Sequence, residues 1–465
     1  MLEIKHLSLT YGEAEKSLHD ITFSVADGEC VLLAGKSGSG KSSILRAING
    51  IAPSYDGASL EGEILIDGRA VEKMSMADLS QMIASVFQNP KTHFFNVDTT
   101  LELVFYLENI GLCREKMKER LEKMLALFHI EHLMNRDIFK LSGGEKQVLS
   151  IAAAYISGAP IILLDEPSSN LDEKATRTLH DMLYVLKREG ITLVIAEHRL
   201  YYLMDLVDRI YLMEKGRLKT TFNKSAFLDL SEKALYAQGL RSTQHVALNE
   251  KSGKCNGSDL KIHCLQHFFE GSAKGFSVEG IGLAKGKVYG IVGTNGCGKS
   301  TFLRSLLGIE KSAKDDIEFK GSTLSRRKRL AHSALVMQDV NHQLFSDTVA
   351  GEVVLGQKTI DEERRERILD RLNLLDKKKR HPMSLSGGEK QRVAIASVLL
   401  SDREIIGFDE PTSGMDFENM VSISKLMRSM ARNGAIIIVV SHDTEFLNRT
   451  ADEIIDMGSF GIQKN

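Results

Sequence analysis

The strongest constraint on this chain is a seven-residue segment that occurs twice. The sequence Leu-Ser-Gly-Gly-Glu-Lys-Gln occupies residues 141–147 and returns at residues 385–391, which lie 244 positions later (385 − 141). At 465 residues the chain is too long for one ordinary hydrophobic core. Together, the length and the repeat indicate a duplicated domain.

A glycine-rich loop lies upstream of each copy of this segment. In the first half, the apolar run Cys30–Ala34 leads into Gly35-Lys36-Ser37-Gly38-Ser39-Gly40-Lys41-Ser42, and a helical pattern follows from Ser43 to Asn49. In the second half, the apolar run Val288–Val292 leads into Gly293-Thr294-Asn295-Gly296-Cys297-Gly298-Lys299-Ser300-Thr301. A flexible turn would explain the glycines but not the strand and helix around them. Both stretches therefore predict a phosphate loop.

The chemistry of such a loop follows from its backbone. Glycines allow successive amide N–H groups to surround the phosphates of a nucleotide, and the start of the next helix adds partial positive charge. Lys41 can reach the β- and γ-phosphates, and the Ser42 hydroxyl can ligate Mg²⁺. Lys299 and Ser300 stand at the same places in the second loop.

Each half also has a buried-type strand that ends in two acids. These pairs are Asp165-Glu166 and Asp409-Glu410. A carboxylate at the end of a central strand, beside a phosphate loop, suits Mg²⁺, and the neighbouring acid is placed to polarise an attacking water.

The spacing between these groups is the same in both halves. From the Ser of the repeated segment to the strand-end Asp is 23 positions (165 − 142 and 409 − 386). From the second acid to the histidine after the next strand is 32 positions (198 − 166 and 442 − 410). Equal spacing indicates one fold used twice, and the histidines His198 and His442 become site candidates.

These residues together resemble the nucleotide-binding domains of ATP-binding cassette (ABC) ATPases, whose signature motif the repeated segment matches. The resemblance implies an α/β fold with two tandem P-loop NTPase domains. Each domain should have a largely parallel core sheet, an antiparallel β subdomain and a helical subdomain. We expect the first domain over residues 1–222, an accessory helix and polar linker over 223–258, and the second domain over 259–465.

In this family the signature of one domain completes the ATP site of the other. The resemblance thus implies one site from Lys41, Ser42, Gln88, Asp165, Glu166 and His198 with Ser386, Gly387 and Gly388. It implies a second site from Lys299, Ser300, Gln338, Asp409, Glu410 and His442 with Ser142, Gly143 and Gly144. The glutamates match the general base, the histidines match the residue that holds the γ-phosphate, and the glutamines sense Mg²⁺ and the attacking water. Both bases are present, so we expect two hydrolytic sites that use ATP and Mg²⁺.

Other family features are present with small departures. Tyr11 and Phe269 are placed to stack on adenine, although either could instead be a core residue. The residue after the signature is Val148 in the first half and Arg392 in the second, so an ion pair could be absent from the first half. The segments 169–172 and 413–416 resemble the D-loop of the family.

The segments after the two glutamines resemble energy-coupling factor (ECF) ATPases, which drive vitamin and metal-ion importers. The similar stretches are 86–90 with 93–95 and 101–103, then 336–339 with 343–349 and Glu352, and finally 196–200. The resemblance implies grooves that receive helices of a transmembrane coupling subunit, with a separate membrane subunit that binds the solute. Phe94, Phe95, Leu344 and Phe345 are candidates to line the grooves, with buried core as the alternative. We expect a peripheral protein on the cytoplasmic face of the plasma membrane.

The alternative function is a soluble tandem ABC ATPase that acts on ribosomes or nucleic acid. The net charge of −2 and the five scattered cysteines provide neither a large basic excess nor a zinc module, so we expect no nucleic-acid partner. The basic run Ser325–Arg329 is interpreted as a solvated helix face. No apolar stretch reaches the length of a membrane-spanning helix.

Overall fold

The computed structural model describes residues 1–12, 16–88, 94–169, 171–249, 255–269, 274–357 and 359–463. It divides into two compact units, Met1–His245 with Asp416–Glu418 and Val246–Met415 with Asn419–Asn465. Several residues of the predicted motifs lie outside the described ranges, namely Asn89, Pro90, His93, Asn170 and positions 250–254 of the predicted linker. The domain boundaries at 222 and 259 stay a prediction.

The first unit contains both parallel and antiparallel strands. Its strands are β1 (Leu2–Tyr11), β2 (Lys16–Val25), β3 (Cys30–Gly35), β4 (Ala58–Ile66), β5 (Arg69–Ala70), β6 (Ile83–Val86), β7 (Ile161–Asp165), β8 (Thr192–Ala196), β9 (Arg209–Glu214) and β10 (Arg217–Asn223). Its helices are α1 (Lys41–Ile48), α2 (Ile51–Ser54), α3 (Met76–Met82), α4 (Thr99–Asn109), α5 (Arg114–Phe128), α6 (Gly143–Ile156), α7 (Glu173–Arg188), α8 (Lys224–Leu228) and α9 (Glu232–Ala237).

The core sheet of this unit has the order β10-β9-β3-β8-β7-β6. The pairs within β9-β3-β8-β7-β6 are parallel, and β10 is antiparallel to β9. All six residues of β3 are buried. Leu32 and Ala34 belong to one core cluster, whereas Val31 and Leu33 belong to another on the opposite face. This two-sided burial explains the unbroken apolar run in the sequence.

The second half repeats the plan with local differences. Its strands are β11 (Leu260–Phe268), β12 (Lys274–Val278), β13 (Ile281–Leu283), β14 (Val288–Val292), β15 (Lys314–Phe319), β16 (Ser322–Thr323), β17 (Ser333–Val336), β18 (Ile405–Asp409), β19 (Ile436–Val440), β20 (Glu453–Asp456) and β21 (Gly461–Gln463). Its helices are α10 (Lys299–Leu306), α11 (Arg326–His332), α12 (Val349–Glu352), α13 (Glu362–Arg371), α14 (Gly387–Leu400), α15 (Phe417–Arg432) and α16 (Thr444–Thr450).

The core sheet of the second unit has the order β17-β18-β19-β14-β20, and every pair in it is parallel. The second unit also has an antiparallel sheet with the order β16-β15-β11-β12-β21. The antiparallel sheet of the first unit has the order β2-β1-β4-β5. The strand before each phosphate loop lies inside its sheet, between β9 and β8 or between β19 and β20. The expected α/β architecture of two tandem P-loop domains is confirmed.

Two local expectations need correction. The helical pattern over 224–239 forms two short helices, α8 and α9, because Ser231 caps a new start by accepting a hydrogen bond from the amide of Ala234. The basic run at 325–329 is solvated over residues 325–328, as expected, but Arg329 is only 1% exposed and pairs with Asp315 at 2.6 Å. Within the described parts of the chain, no helix combines the length and apolar character that crossing a bilayer requires.

A glycine next to a β-bulge generates a stability prediction. Gly62 has φ +92°, and a Cβ built there would lie 2.4 Å from the backbone oxygen of His6. Gly68 also has a positive φ (+74°), but a Cβ there meets nothing within 4 Å. Gly68→Ala should cost about 1–2 kcal/mol of unfolding free energy from backbone strain. Gly62→Ala should cost about 1–3 kcal/mol more, because β1 would have to move.

Urea unfolding of the two variants measures this difference. Equal losses of stability in Gly62→Ala and Gly68→Ala would contradict the predicted clash between β4 and the bulge in β1.

Candidate active site

The first phosphate loop joins the end of β3 to the start of α1. Lys41 is the first residue of α1 and is 4% exposed. Its Nζ donates hydrogen bonds to the carbonyl oxygens of Gly35 at 3.0 Å and Lys36 at 3.1 Å. The ammonium therefore lies within the loop. Burial lowers the pKa of Lys41, and the nearby carboxylates of Glu166 and Asp165 oppose that shift.

The second phosphate loop repeats these contacts. Lys299 begins α10, and its Nζ donates to the carbonyl oxygens of Gly293 at 2.9 Å and Thr294 at 3.0 Å. The two loops thus hold their lysines in the same way, as the matching sequences predict.

In both units the hydroxyl after the loop lysine meets the strand-end aspartate. Ser42 Oγ donates to Asp165 Oδ1 at 2.9 Å, and Ser300 Oγ donates to Asp409 Oδ1 at 2.8 Å. Burial raises the pKa of both aspartates, and the serine hydrogen bonds partly oppose this. A hydroxyl and a carboxylate oxygen side by side fit the ligand preference of Mg²⁺. The second oxygen of Asp409 is buried and accepts no hydrogen bond from the described residues, although Arg304 lies 3.6 Å away.

The second acid of the first unit lies within reach of three predicted groups. Glu166 has φ +45°, and its carboxylate accepts a hydrogen bond from Gln88 Nε2 at 2.7 Å. His198 Nε2 lies 3.5 Å from Glu166 Oε1 and 3.2 Å from Lys41 Nζ. The structure therefore brings Lys41, Gln88, Glu166 and His198 together at the carboxyl edge of the sheet.

The titration of this cluster is strongly perturbed. Burial, and then the charge of Glu197, raise the pKa of Glu166 to about 8. Burial, and then the charge of Lys41, lower the pKa of His198 well below its ordinary value. Shifts of this kind are typical of groups that exchange protons during catalysis.

The second unit has the equivalent pair. His442 Nε2 lies 3.5 Å from Glu410 Oε1, and the His442 amide donates to Glu410 Oε2 at 3.3 Å. Glu410 has φ +47°, close to the value at Glu166. Gln338 follows β17 by two residues, as Gln88 follows β6.

The sequence analysis missed one buried acid of the first site. Glu197 is 2% exposed and accepts hydrogen bonds from the amides of Ser168 (3.1 Å) and His198 (2.8 Å) and from the hydroxyl of Tyr202 (2.9 Å). These hydrogen bonds fix the backbone just after the acid pair, at Ser168, and at His198. Its position directly before the histidine was the available signal, but Ser441 stands there in the second half.

The signature segments begin helices α6 and α14. In the first unit, the Ser142 amide donates to Glu145 Oε2 at 2.7 Å, and the Glu145 amide donates to Ser142 Oγ at 3.2 Å. This capping box holds the helix start rigid. A Cβ built on Gly143 meets nothing within 4 Å, so packing within the unit does not require glycine there.

The second signature is built alike. The Ser386 amide donates to Glu389 Oε2 at 2.8 Å, and Lys377 pairs with the same glutamate. A Cβ built on Gly387 also meets nothing within 4 Å. Helix N-termini with open space beside their glycines suit an anionic ligand.

The two adenine candidates differ in placement. The ring of Phe269 lies against the second phosphate loop. A Cβ built on Gly298 would come within 2.9 Å of that ring. Tyr11 ends β1, where it pairs with Ala58 and packs, partly buried, against the core. The adenine role of both residues stays a prediction.

The four apolar groove candidates divide into two classes. Phe94 packs, partly buried, against the core, and Leu344 is 7% exposed. For these two the core alternative is correct. Phe95 and Phe345 are 79% and 75% exposed. The ring of Phe95 stacks on that of Phe105, with 5.2 Å between the ring centroids.

Comparison with known proteins supports this geometry. The model of the ABC transporter family matches residues 18–169 and 280–413, which is more than half of the chain. The chain belongs to the ABC transporter family. It is therefore an ABC-type ATPase with two nucleotide-binding domains in one polypeptide.

Relatives of similar length carry the same organisation. The chain is 38% identical over 476 residues to a protein of Treponema denticola named as an ABC transporter ATP-binding protein, covering 100% of this chain and 96% of the relative. It is 31% identical to one of Saccharolobus solfataricus, covering 98% and 92%.

Solved structures of other proteins share the fold of this chain. One chain in a model of ribosome-bound archaeal Pelota and ABCE1 matches with a TM-score of 0.67 at 23% identity, covering 97% of this chain and 76% of that chain. At this identity the likeness shows the fold alone. The expectation of no nucleic-acid partner stays a prediction.

The pKa of Glu166 predicts a pH dependence of stability. The folded carboxyl holds its proton up to about pH 8, whereas the ordinary value is 4.5. Between these values the unfolded chain has lost a proton that the folded chain keeps, so nucleotide-free protein should lose stability as pH rises. The steepest loss should be roughly 1.4 kcal/mol per pH unit. Glu166→Gln should remove this part of the slope.

Urea unfolding at pH 6 and pH 8 compares the wild-type protein, Glu166→Gln and Glu119→Gln, which changes an exposed glutamate on α5. An equal pH slope in wild type and Glu166→Gln would contradict the prediction.

Proposed function

We propose that this ABC ATPase is the ATP-hydrolysing subunit of an importer of the energy-coupling factor type. It would power uptake of a vitamin, a vitamin precursor or a metal ion through separate membrane subunits. The observation that carries the ATPase part is the convergence of Lys41, Gln88, Glu166 and His198 at one sheet edge. The importer part rests on the two exposed phenylalanines after the glutamines.

The catalytic roles follow from the contacts. Glu166 and Glu410 are the general bases, because each carboxylate lies next to a histidine at the edge where the phosphate loop ends. The raised pKa makes the ionised Glu166 carboxylate a stronger base toward water than an ordinary glutamate. His198 and His442 orient the γ-phosphate, and Gln88 and Gln338 orient the water.

The phosphate loops and signature segments bind the nucleotide. Loop amides and the lysines hold the β- and γ-phosphates. Mg²⁺ bound by Ser42 with Asp165, and by Ser300 with Asp409, would neutralise phosphate charge. The signature residues Ser142, Gly143, Gly144, Ser386, Gly387 and Gly388 supply further donors to a γ-phosphate. The open space above Gly143 and Gly387 supports that role.

The segment that contains Phe95 and Asn96, here called the first docking loop, is held in place by hydrogen bonds from its backbone. Glu102 is 7% exposed, and its carboxylate accepts hydrogen bonds from the amides of Phe95 at 3.0 Å and Asn96 at 2.8 Å. A buried carboxylate therefore fixes a loop whose phenylalanine points into solvent. A costly buried charge that holds an exposed aromatic ring supports a binding role for that ring.

The second docking loop has the same construction. Glu352 is 3% exposed and accepts from the amides of Phe345 at 2.7 Å and Ser346 at 2.6 Å. In both loops the glutamate follows the phenylalanine by seven residues (102 − 95 and 352 − 345). We infer that both loops receive apolar segments of a transmembrane coupling subunit, which would place the protein on the cytoplasmic face of the plasma membrane.

Replacement of the bases tests the catalytic assignment. Glu166→Gln and Glu410→Gln should each lower turnover at the affected site by about 10²–10⁴, since the amide cannot accept the proton. Steady-state ATP hydrolysis measures the effect, with Glu119→Gln as a matched control on the surface. If the double variant hydrolysed ATP at the wild-type rate, the assignment would be wrong.

Co-purification from detergent-solubilised membranes tests the partner. The wild-type chain should bring down an integral membrane protein, and Phe95→Asp with Phe345→Asp should lose it while keeping basal ATP hydrolysis. Tyr55→Asp changes another exposed aromatic residue (73%) and should keep the partner. Recovery of ribosomes or nucleic acid without any integral membrane protein would instead favour a soluble tandem ATPase.

A further inference from the structure

The second unit contains a cavity of about 280 Å³ whose cations have no role in the proposed ATPase mechanism. It lies among the end of α13, the first turns of α14 and the middle of α15. Its lining includes the cations Arg371, Arg392 and Lys425, and no aspartate or glutamate is among the described residues that line it. Three positive charges around one concavity attract an anion.

The two arginines are only partly satisfied by hydrogen bonds to acceptors of the described residues. Arg392 Nη1 donates to Asn419 Oδ1 at 3.3 Å, and its Nε is buried without a hydrogen-bond acceptor among the described residues. Arg371 makes one long hydrogen bond, to Ser429 Oγ at 3.3 Å. A buried donor without an acceptor is costly, so a ligand with several acceptor oxygens would be favourable here.

The first unit has no equivalent charge. Residues 129–198 correspond to residues 373–442 at a constant offset of 244, and His129 and Asn373 both have left-handed backbone conformations (φ 55° and 54°). At this offset the counterparts of Arg371, Arg392 and Lys425 are Leu127, Val148 and Asp181. Neither the shared fold nor the shared ATPase chemistry therefore requires these three cations.

Packing beside the signature helix also differs. In the first unit a Cβ on Gly144 would lie 3.0 Å from the Cβ of Ala175, and Val148 packs against the core. In the second unit the corresponding contact from Gly388 is 3.8 Å, to Arg392 Nη1. Asn419 stands at the position of Ala175. The space that apolar side chains fill in one half is polar and open in the other.

The lining suggests the class of ligand. Leu372, Ile395 and Ile423 form an apolar side, and Asn373 and Ser422 add polar groups near the cations. The volume is near the lower end of the roughly 300–1,000 Å³ of small-molecule sites. The geometry points to a binding site for a small phosphorylated molecule, with its phosphate on Arg371, Arg392 and Lys425 and its organic part on the apolar side.

The three cations of this site have no role in the proposed hydrolysis or membrane docking. It lies in one unit only, and it shares Gly388 with the signature motif. A ligand here would contact the helix that carries that motif. Pyrophosphate is a suitable probe, because it presents the phosphate chemistry without an organic part.

Isothermal titration calorimetry tests the proposal. Pyrophosphate is titrated into the full chain with excess ADP and EDTA, so that both phosphate loops are occupied and no magnesium competes. One site per chain is expected. Arg392→Val and Lys425→Asp introduce the residues of the first half, and each should weaken binding about tenfold or more through loss of a charged hydrogen bond. Lys328→Asp makes the same charge change on exposed α11 and should leave the affinity unchanged.

Three outcomes would overturn the proposal. They are no binding once ADP is present, equal weakening by Lys328→Asp, and unchanged affinity in both pocket variants. Thermal unfolding of each variant confirms that it is folded before the titration is interpreted.

Discussion

The parallel strands of each core sheet are buried on both faces, and this burial places the chemistry at one edge. Because neither face of β3 or β14 meets water, polar residues can enter only where the strands end. The phosphate loop, the acid pair and the histidine all follow the carboxyl ends of neighbouring strands. Ligands of open α/β sheets bind at this edge for the same reason.

The same burial makes the empty site electrostatically unfavourable. His198 Nε2 lies 3.2 Å from Lys41 Nζ and 3.5 Å from Glu166 Oε1, yet burial lowers the pKa of Lys41 and of His198 and raises that of Glu166. Each group is therefore pushed toward its neutral form. A nucleotide phosphate would favour the charged lysine, and Mg²⁺ would favour the charged Asp165. Ligand binding and the ionisation of the site are thus coupled.

Much of this arrangement could be predicted from the sequence, because its signals are local. The phosphate loops, the strand-end acids and their equal spacing predict which groups meet, and the structure joins Ser42 to Asp165 and Ser300 to Asp409. Burial was less predictable. Nothing in the sequence near Phe94 and Phe95 distinguishes the packed ring from the exposed one, since Glu102, seven residues on, decides the loop conformation.

Charged residues were the hardest to interpret, because their partners are distant in sequence. Arg329 belongs to a basic run that is typical of a solvated face, but Asp315 draws it into the interior. Glu197 looked like an ordinary neighbour of His198, but it accepts hydrogen bonds from the segment after the acid pair.

Comparison of the two halves also shows which positions of the fold accept different residue types. The loop lysines, the acid pairs, the glutamines and the histidines keep their residue types in both copies. The position after the signature does not, because Val148 stands there in one half and Arg392 in the other. A hydrophobic residue there is sufficient for packing, as the first unit demonstrates. In the second unit the Arg392 Nε is buried without an acceptor among the described residues, which costs stability unless a ligand supplies one. The asymmetry between the copies therefore supports the proposed binding site in the second unit.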